Sequence, residues 1–177
     1  MKSTHLFSTL AITLCATLLT ANVFAANSVS IDIKGKVIAS PCTTVNGGEA
    51  TKAVALGDTI GADTLATAGS GTPLVKFELP LTGCPAGTTN IKATFSGTAD
   101  GTTTTMWKNT AATPAPNTAI ELSNQTGSAL ISNGSSITEA VTSGTATFKL
   151  QARAYSAAGS ATPGDIESVI VATFEYQ

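Results

Sequence analysis

The stretch Ile166-Glu-Ser-Val169-Ile-Val-Ala-Thr-Phe174-Glu-Tyr176-Gln177 decides how this chain folds. Val169-Ile170-Val171-Ala172 has no polar face, which is the pattern of a strand with a neighbour on each side inside a sheet. No residue is read after Gln177, and the neighbour is expected to come from another copy or a partner. Neither Lys nor Pro is present to blunt a free edge, and such an edge left bare is a template for aggregation. A cover from outside this segment is therefore expected.

The other end of the chain offers a matching piece. Val29-Ser-Ile31-Asp-Ile33-Lys-Gly35-Lys-Val37 alternates with a period of two, as a strand does. Alternation alone is satisfied by an ordinary first strand of the same sheet, but two features set the segment apart. Gly35 interrupts the apolar face, and glycine within a strand marks close approach by another backbone. The segment also precedes Pro41-Cys42, so it lies outside any unit that Cys42 closes. The apolar run Ala53-Val54-Ala55-Leu56-Gly57 is expected to begin the fold without it.

A leader comes before all of this. Met1-Lys2 starts a basic segment, Leu6 to Leu19 is apolar apart from Ser and Thr, and Val23-Phe24-Ala25 fits a cleavage site. The run is short for a membrane span. Ile12-Thr13-Leu14 before Cys15 do not fit a lipoprotein signal. Residues 1–25 are read as a signal peptide, leaving 177 − 25 = 152 residues, enough for one domain with one core. Cleavage removes Lys2 from nine basic residues and no acid from eleven, so the net charge becomes 8 − 11 = −3. That balance gives no reason to expect nucleic acid as a partner. The remaining sequence has no segment that reads as membrane-spanning.

Cleavage also removes His5 and Cys15, so the mature chain has no histidine and two cysteines, Cys42 and Cys84. In an oxidising compartment two cysteines read as one disulfide. Closing a loop of about 43 residues stabilises a fold by roughly 4 kcal/mol in the chain-entropy model. Enzymatic chemistry has little to work with: the commonest general base is missing, both thiols are consumed, and no glycine-rich loop joins a strand to a helix. Asp165 and Glu167 read as a solvated turn rather than a carboxylate dyad. No cofactor or metal is implied.

Between the ends the apolar residues fall in strand-length runs. Leu74 to Leu81, Ile91 to Ser96, Ile120 to Leu122 and Ala146 to Tyr155 alternate, and turn residues separate them. Thr98 to Thr105 reads as a surface loop, as does Ala157 to Gly164. Asn124-Gln-Thr126 and Asn133-Gly-Ser135 match the glycosylation pattern, as short polar loops do by chance. No window has helical periodicity with caps. Six or so strands in antiparallel alternation imply an all-β sandwich.

Several of these marks occur in the same order and spacing in one family. They are the extension through Val37-Ile-Ala-Ser-Pro-Cys42, Leu81-Thr-Gly-Cys84-Pro85, Phe95-Ser-Gly97 with Asp100, Gly164 fourteen residues from the end, and the penultimate Tyr176. The mature chain resembles the pilin subunits of chaperone–usher fimbriae over essentially all of 26–177. The extension and Leu150-Gln-Ala-Arg153-Ala look most like the minor tip subunits of type 1 fimbriae.

The resemblance implies an incomplete immunoglobulin-like β-sandwich lacking its seventh strand, completed by donor-strand exchange. Residues 26–40 would be the donor-strand extension and 41–177 the pilin domain. Val29, Ile31, Ile33, Gly35 and Val37 would enter a neighbouring subunit. Gly164, Ile170, Ala172, Phe174 and Tyr176 would border this subunit's own groove, and Gln177 would anchor the chaperone. The implied partners are a periplasmic pilus chaperone, an outer-membrane usher and neighbouring fimbrial subunits. The implied location is the fimbrium, reached through the periplasm. Two rivals are weighed against this: an adhesin with a shallow receptor site around Trp107, Tyr155 and the 98–105 loop, and a stand-alone secreted sandwich.

Overall fold

Alternating runs of β-branched, aromatic and small residues make strands here because each can bury one face. A computed structural model describes residues 28–127 and 129–177. The leader at 1–25 lies outside the described residues. Residues 28–36 belong to one unit and residues 37–177 to a second.

In the second unit the strands are β1 (Thr44–Val45), β2 (Ser70–Gly71), β3 (Val75–Thr82), β4 (Asn90–Gly97), β5 (Trp107–Lys108), β6 (Ala119–Asn124), β7 (Ser136–Ala140), β8 (Thr145–Ser156) and β9 (Ile170–Tyr176). Among the described residues the helical pieces are two 3-10 turns, Asn46–Gly48 and Ala62–Leu65. One sheet runs β1-β3-β8-β6-β5, with β2 also on β8, and the other runs β7-β4-β9. Every strand pair is antiparallel.

The twelve-residue β8 is the spine of the larger sheet. It pairs with β3 along Val75↔Ala152 to Thr82↔Thr145 and with β6 along Ala119↔Tyr155 to Asn124↔Leu150. Its Ala146, Phe148, Leu150, Ala152 and Ala154 are all buried. Ala146, Phe148, Leu150 and Ala152 pack in one core cluster with Ile91, Ala93 and Phe95 of β4 and with Leu81, Ile120, Leu122 and Ile131. Pro80 is tolerated inside β3 because β1 covers only Leu81 and Thr82, which leaves Pro80 where β3 has one neighbour.

Several sequence expectations change. Trp107 lies in β5 rather than in a loop. It is fully buried and its indole N–H donates to the Ile131 carbonyl at 2.7 Å, so it cannot form part of a shallow receptor site. The run Ala53–Gly57 forms no ladder. Val54 and Leu56 are half-buried while Ala53 and Ala55 are exposed, so the stretch has strand-like alternation without a partner. The last strand begins at Ile170, not Ile166, because 165–167 is bonded to Asn109, Thr110, Thr113 and Ala115 rather than to β4. β7 had no expectation attached.

The larger sheet also holds a half-buried ion pair. The Arg153 guanidinium meets the Glu121 carboxylate at 2.7 Å and lies 5.5 Å from the centre of the Tyr155 ring. Gly97 permits close packing at the end of β4. A Cβ there would lie 2.8 Å from the Val169 carbonyl and 3.0 Å from the Trp107 ring. Gly97→Ala is expected to cost about 1–3 kcal/mol, as overpacking does, read as a lowered urea midpoint with an unchanged slope.

Candidate functional site: an open strand edge and its groove

Among the described residues β9 is hydrogen-bonded on one side only. It pairs with β4 from Ile91↔Tyr176 to Gly97↔Ile170, and no ladder forms on its other edge. Ile170, Ala172, Phe174 and Tyr176 turn inward and are half-buried. The Phe174 ring reaches across the sandwich to Phe148, with centroids 5.7 Å apart. Val169 and Val171 turn outward, and Val171 is 54% exposed. The expected two apolar faces are present, but only one of them is packed.

Beside the free edge lies an open groove of about 1150 Å³. Its floor is made by residues such as Phe77, Leu79, Phe95, Ile120, Leu122 and Leu150. One wall is the stretch from Asp165 through β9 to Phe174, and the other is residues 49–62, with Val54 and Leu56. A strand-shaped gap between two extended stretches is what an incoming strand fills in β-augmentation.

The approach to β9 is fixed by one polar side chain that the sequence reading missed. Asn109 is buried. Its amide donates to the Asp165 carbonyl at 2.8 Å and to the Thr118 hydroxyl at 2.9 Å. Its side-chain oxygen accepts from the amides of Glu167 at 3.1 Å and Ala111 at 3.2 Å. All four hydrogen-bonding sites of the amide are used. Nothing in the sequence distinguishes it from the other loop asparagines, because its partners lie up to 58 residues away. Gly164 lets the chain cross here: a Cβ would come within 2.5 Å of the Ala115 backbone nitrogen. The Thr113 hydroxyl donates to the Asp165 carboxylate, so this pair forms part of the crossing, and both Asp165 and Glu167 are exposed.

At the far end of β9 the Gln177 carbonyl oxygen accepts from the amides of Thr89 at 2.6 Å and Asn90 at 3.0 Å. This fixes the register of β9 on β4. Cys42 and Cys84 are bonded, with an S–S distance of 2.06 Å, and join the entry of β1 to the segment after β3. Among the described residues no group of three or more His, Cys, Asp or Glu could hold a metal ion, and no helix is long and apolar enough to cross a membrane.

Residues 28–41 enter no ladder. Val29, Ile31, Ile33 and Val37 are exposed, Val37 almost completely at 99%. On the intervening positions Asp32 and Lys34 form an exposed ion pair at 2.9 Å, an arrangement worth little in stability. A Cβ built on Gly35 meets no atom of the described residues within 4 Å, so none of those residues demands glycine there.

The family model described as fimbrial protein matches residues 31–177. The chain belongs to the fimbrial protein family. It is a structural subunit of a fimbria and is exported to the cell surface as part of one. It is similar to the S-fimbrial adhesin protein SfaS of Escherichia coli, at 40% identity over 169 residues, covering 94% of this chain and 97% of the relative. It is also 40% identical to protein FimG of Escherichia coli over 153 residues, covering 85% and 86% of the two chains. Among solved structures, the P pilus rod subunit PapA superposes with a TM-score of 0.64 at 18% identity, covering 78% of this chain and all of that one. A structure of a chaperone–usher pilus does so at 0.63 and 18%, over 89% of this chain. At these identities the structures establish the fold, an immunoglobulin-like sandwich.

Replacing Asn109 by Ala should strand the Ala111 and Glu167 amides and cost about 2–3 kcal/mol. The direct readout is hydrogen exchange, which should accelerate at Ala111 and Glu167 while β8 stays protected.

Proposed function

We propose that this subunit joins its fibre by donor-strand exchange. Val29, Ile31, Ile33, Gly35 and Val37 enter the groove of a neighbouring subunit. Ile170, Ala172, Phe174 and Tyr176 receive the corresponding segment of another. The observation that carries this reading is the unpaired edge of β9 above an apolar groove in a chain whose own extension enters no ladder.

The dimensions suit it. Nine residues from Val29 to Val37 span about 30 Å as a strand, against about 24 Å for the seven of β9. Burying four β-branched side chains at about 1.5–3 kcal/mol each gives on the order of 6–12 kcal/mol before ordering costs. Main-chain hydrogen bonds to β9 supply binding, and alternate side chains supply specificity. The stretch Ala53–Gly57 has the alternation of a strand with no partner, so an incoming strand has a second backbone to meet.

Before assembly the same groove needs a temporary cover, since an open apolar edge aggregates. A periplasmic chaperone provides it, with Gln177 as an anchor, and the outer-membrane usher is the place of exchange. Gly164 belongs to the groove by holding the crossing that leads into β9. The wording of the extension places the subunit among the minor tip components.

Three outcomes test the reading. Deleting residues 26–37 should leave a soluble chaperone complex that cannot extend onto the preceding subunit. A self-sufficient sandwich with its own first strand would instead collapse and show no dependence on a chaperone. Gly35→Leu should block heat-resistant complexes when this chain is the donor and spare those in which it is the acceptor, seen on denaturing gels. Cys42→Ser should abolish chaperone capture, scored by co-purification, because the bridge pins the entry of the body to the end of β3; detection of free thiols in the native protein would contradict it.

A further inference from the structure

The walls of the groove carry a marked imbalance of charge. Glu49, Asp58, Asp165 and Glu167 border it against a single cation, Lys52. Asp165 and Glu167 are not on a loose loop. The Ala115 amide donates to the Asp165 carbonyl at 2.9 Å, and the Thr110 amide donates to the Glu167 carbonyl at 2.7 Å. The backbone that carries two of the four carboxylates is therefore held in place beside the gap, and the Asp165 carboxylate also accepts from the Thr113 hydroxyl.

The extension has the opposite balance. Between Ser28 and Pro41 it carries Lys34 and Lys36 against Asp32. These charges alternate with Val29, Ile31, Ile33 and Val37, so they fall on the other face of the strand. When the apolar face fills a groove, the two lysines lie along its rim. Neighbouring strands are about 4.8 Å apart. That is inside the screening length of about 8 Å at physiological salt, so charges at the rim are felt.

We propose that the occupant of the groove is the extension of a second copy of this chain, selected by the attraction of the acidic walls for Lys34 and Lys36. This rests on the donor-strand reading and adds the partner's identity and the basis of its choice. Two copies can then stand in succession in the fibre. An extension with the same apolar face but an acidic rim is disfavoured, since like charges would meet along the gap.

The test uses the full chain held by its chaperone and two peptides spanning residues 26–40, one of native sequence and one with K34E and K36E. Formation of heat-resistant subunit–peptide complex is followed at low and high salt. The native peptide should enter about tenfold faster at low salt, with the difference closing at high salt, as for steered association. Full-length copies mixed without peptide should form a heat-resistant ladder. Equal rates for the two peptides at low salt would overturn the charge selection and leave donor-strand exchange standing. Entry of the native peptide without any ladder from full-length copies would overturn the second copy as partner. If neither peptide enters, this inference fails together with the donor-strand reading.

Discussion

Half of the backbone hydrogen-bonding capacity of β9 is spent on β4, and the other half faces a gap. Unpaired amides and carbonyls beside an apolar groove are a ready template for a further strand. The rest of the body is arranged around that incompleteness. Asn109 and Gly164 carry the chain from the large sheet to the small one, Gly97 lets Trp107 pack under the first residues of β9, and Gln177 fixes the far end on Thr89 and Asn90. Phe174 contacts Phe148 from one side of the groove, and no described strand lies on the other side. The gap is thus bounded by firmly held elements rather than left over from loose packing.

Much of this was legible in the residues. The clean alternation of 146–155 located the spine, and the turn residues after 81 and 96 marked the ends of two more strands. The apolar composition of 169–172 pointed to a missing neighbour, and two cysteines in a secreted chain pointed to their bond. What could not be read depends on distant contacts. Trp107 sits among threonines, and distant neighbours such as Ile120, Ile131 and Gly97 turn that position into core. Asn109 has no local signal. Ala53 to Gly57 has the composition of a strand but lacks a ladder, because strand composition describes a fit to a half-buried surface and not the presence of a partner. Ser136 to Ala140 is short, polar at alternate positions and at a sheet edge, so its only distinguishing mark is its pairing with β4.

Sharing a sandwich with PapA at 18% identity while retaining a TM-score of 0.64 fits the same physics. Cores accept extensive substitution when volume and pattern are kept. What must be kept in this architecture is the alternation along β3, β4 and β8, the close approaches at a few glycines, and an apolar floor to the groove. Identity elsewhere is free to drift.

The bond between Cys42 and Cys84 has a mechanical meaning as well. Tension pulled along residues 28–41 arrives first at Cys42. From there a covalent route leads to Cys84, just past the end of β3, whose eight paired residues lie along β8. Force entering by that route loads the β3–β8 ladder lengthwise, so its bonds resist together. Without the bridge the same force would fall on β1, which has only two pairs and would peel away one bond at a time. The crosslink thus decides whether a stretched filament meets a two-pair ladder or an eight-pair one.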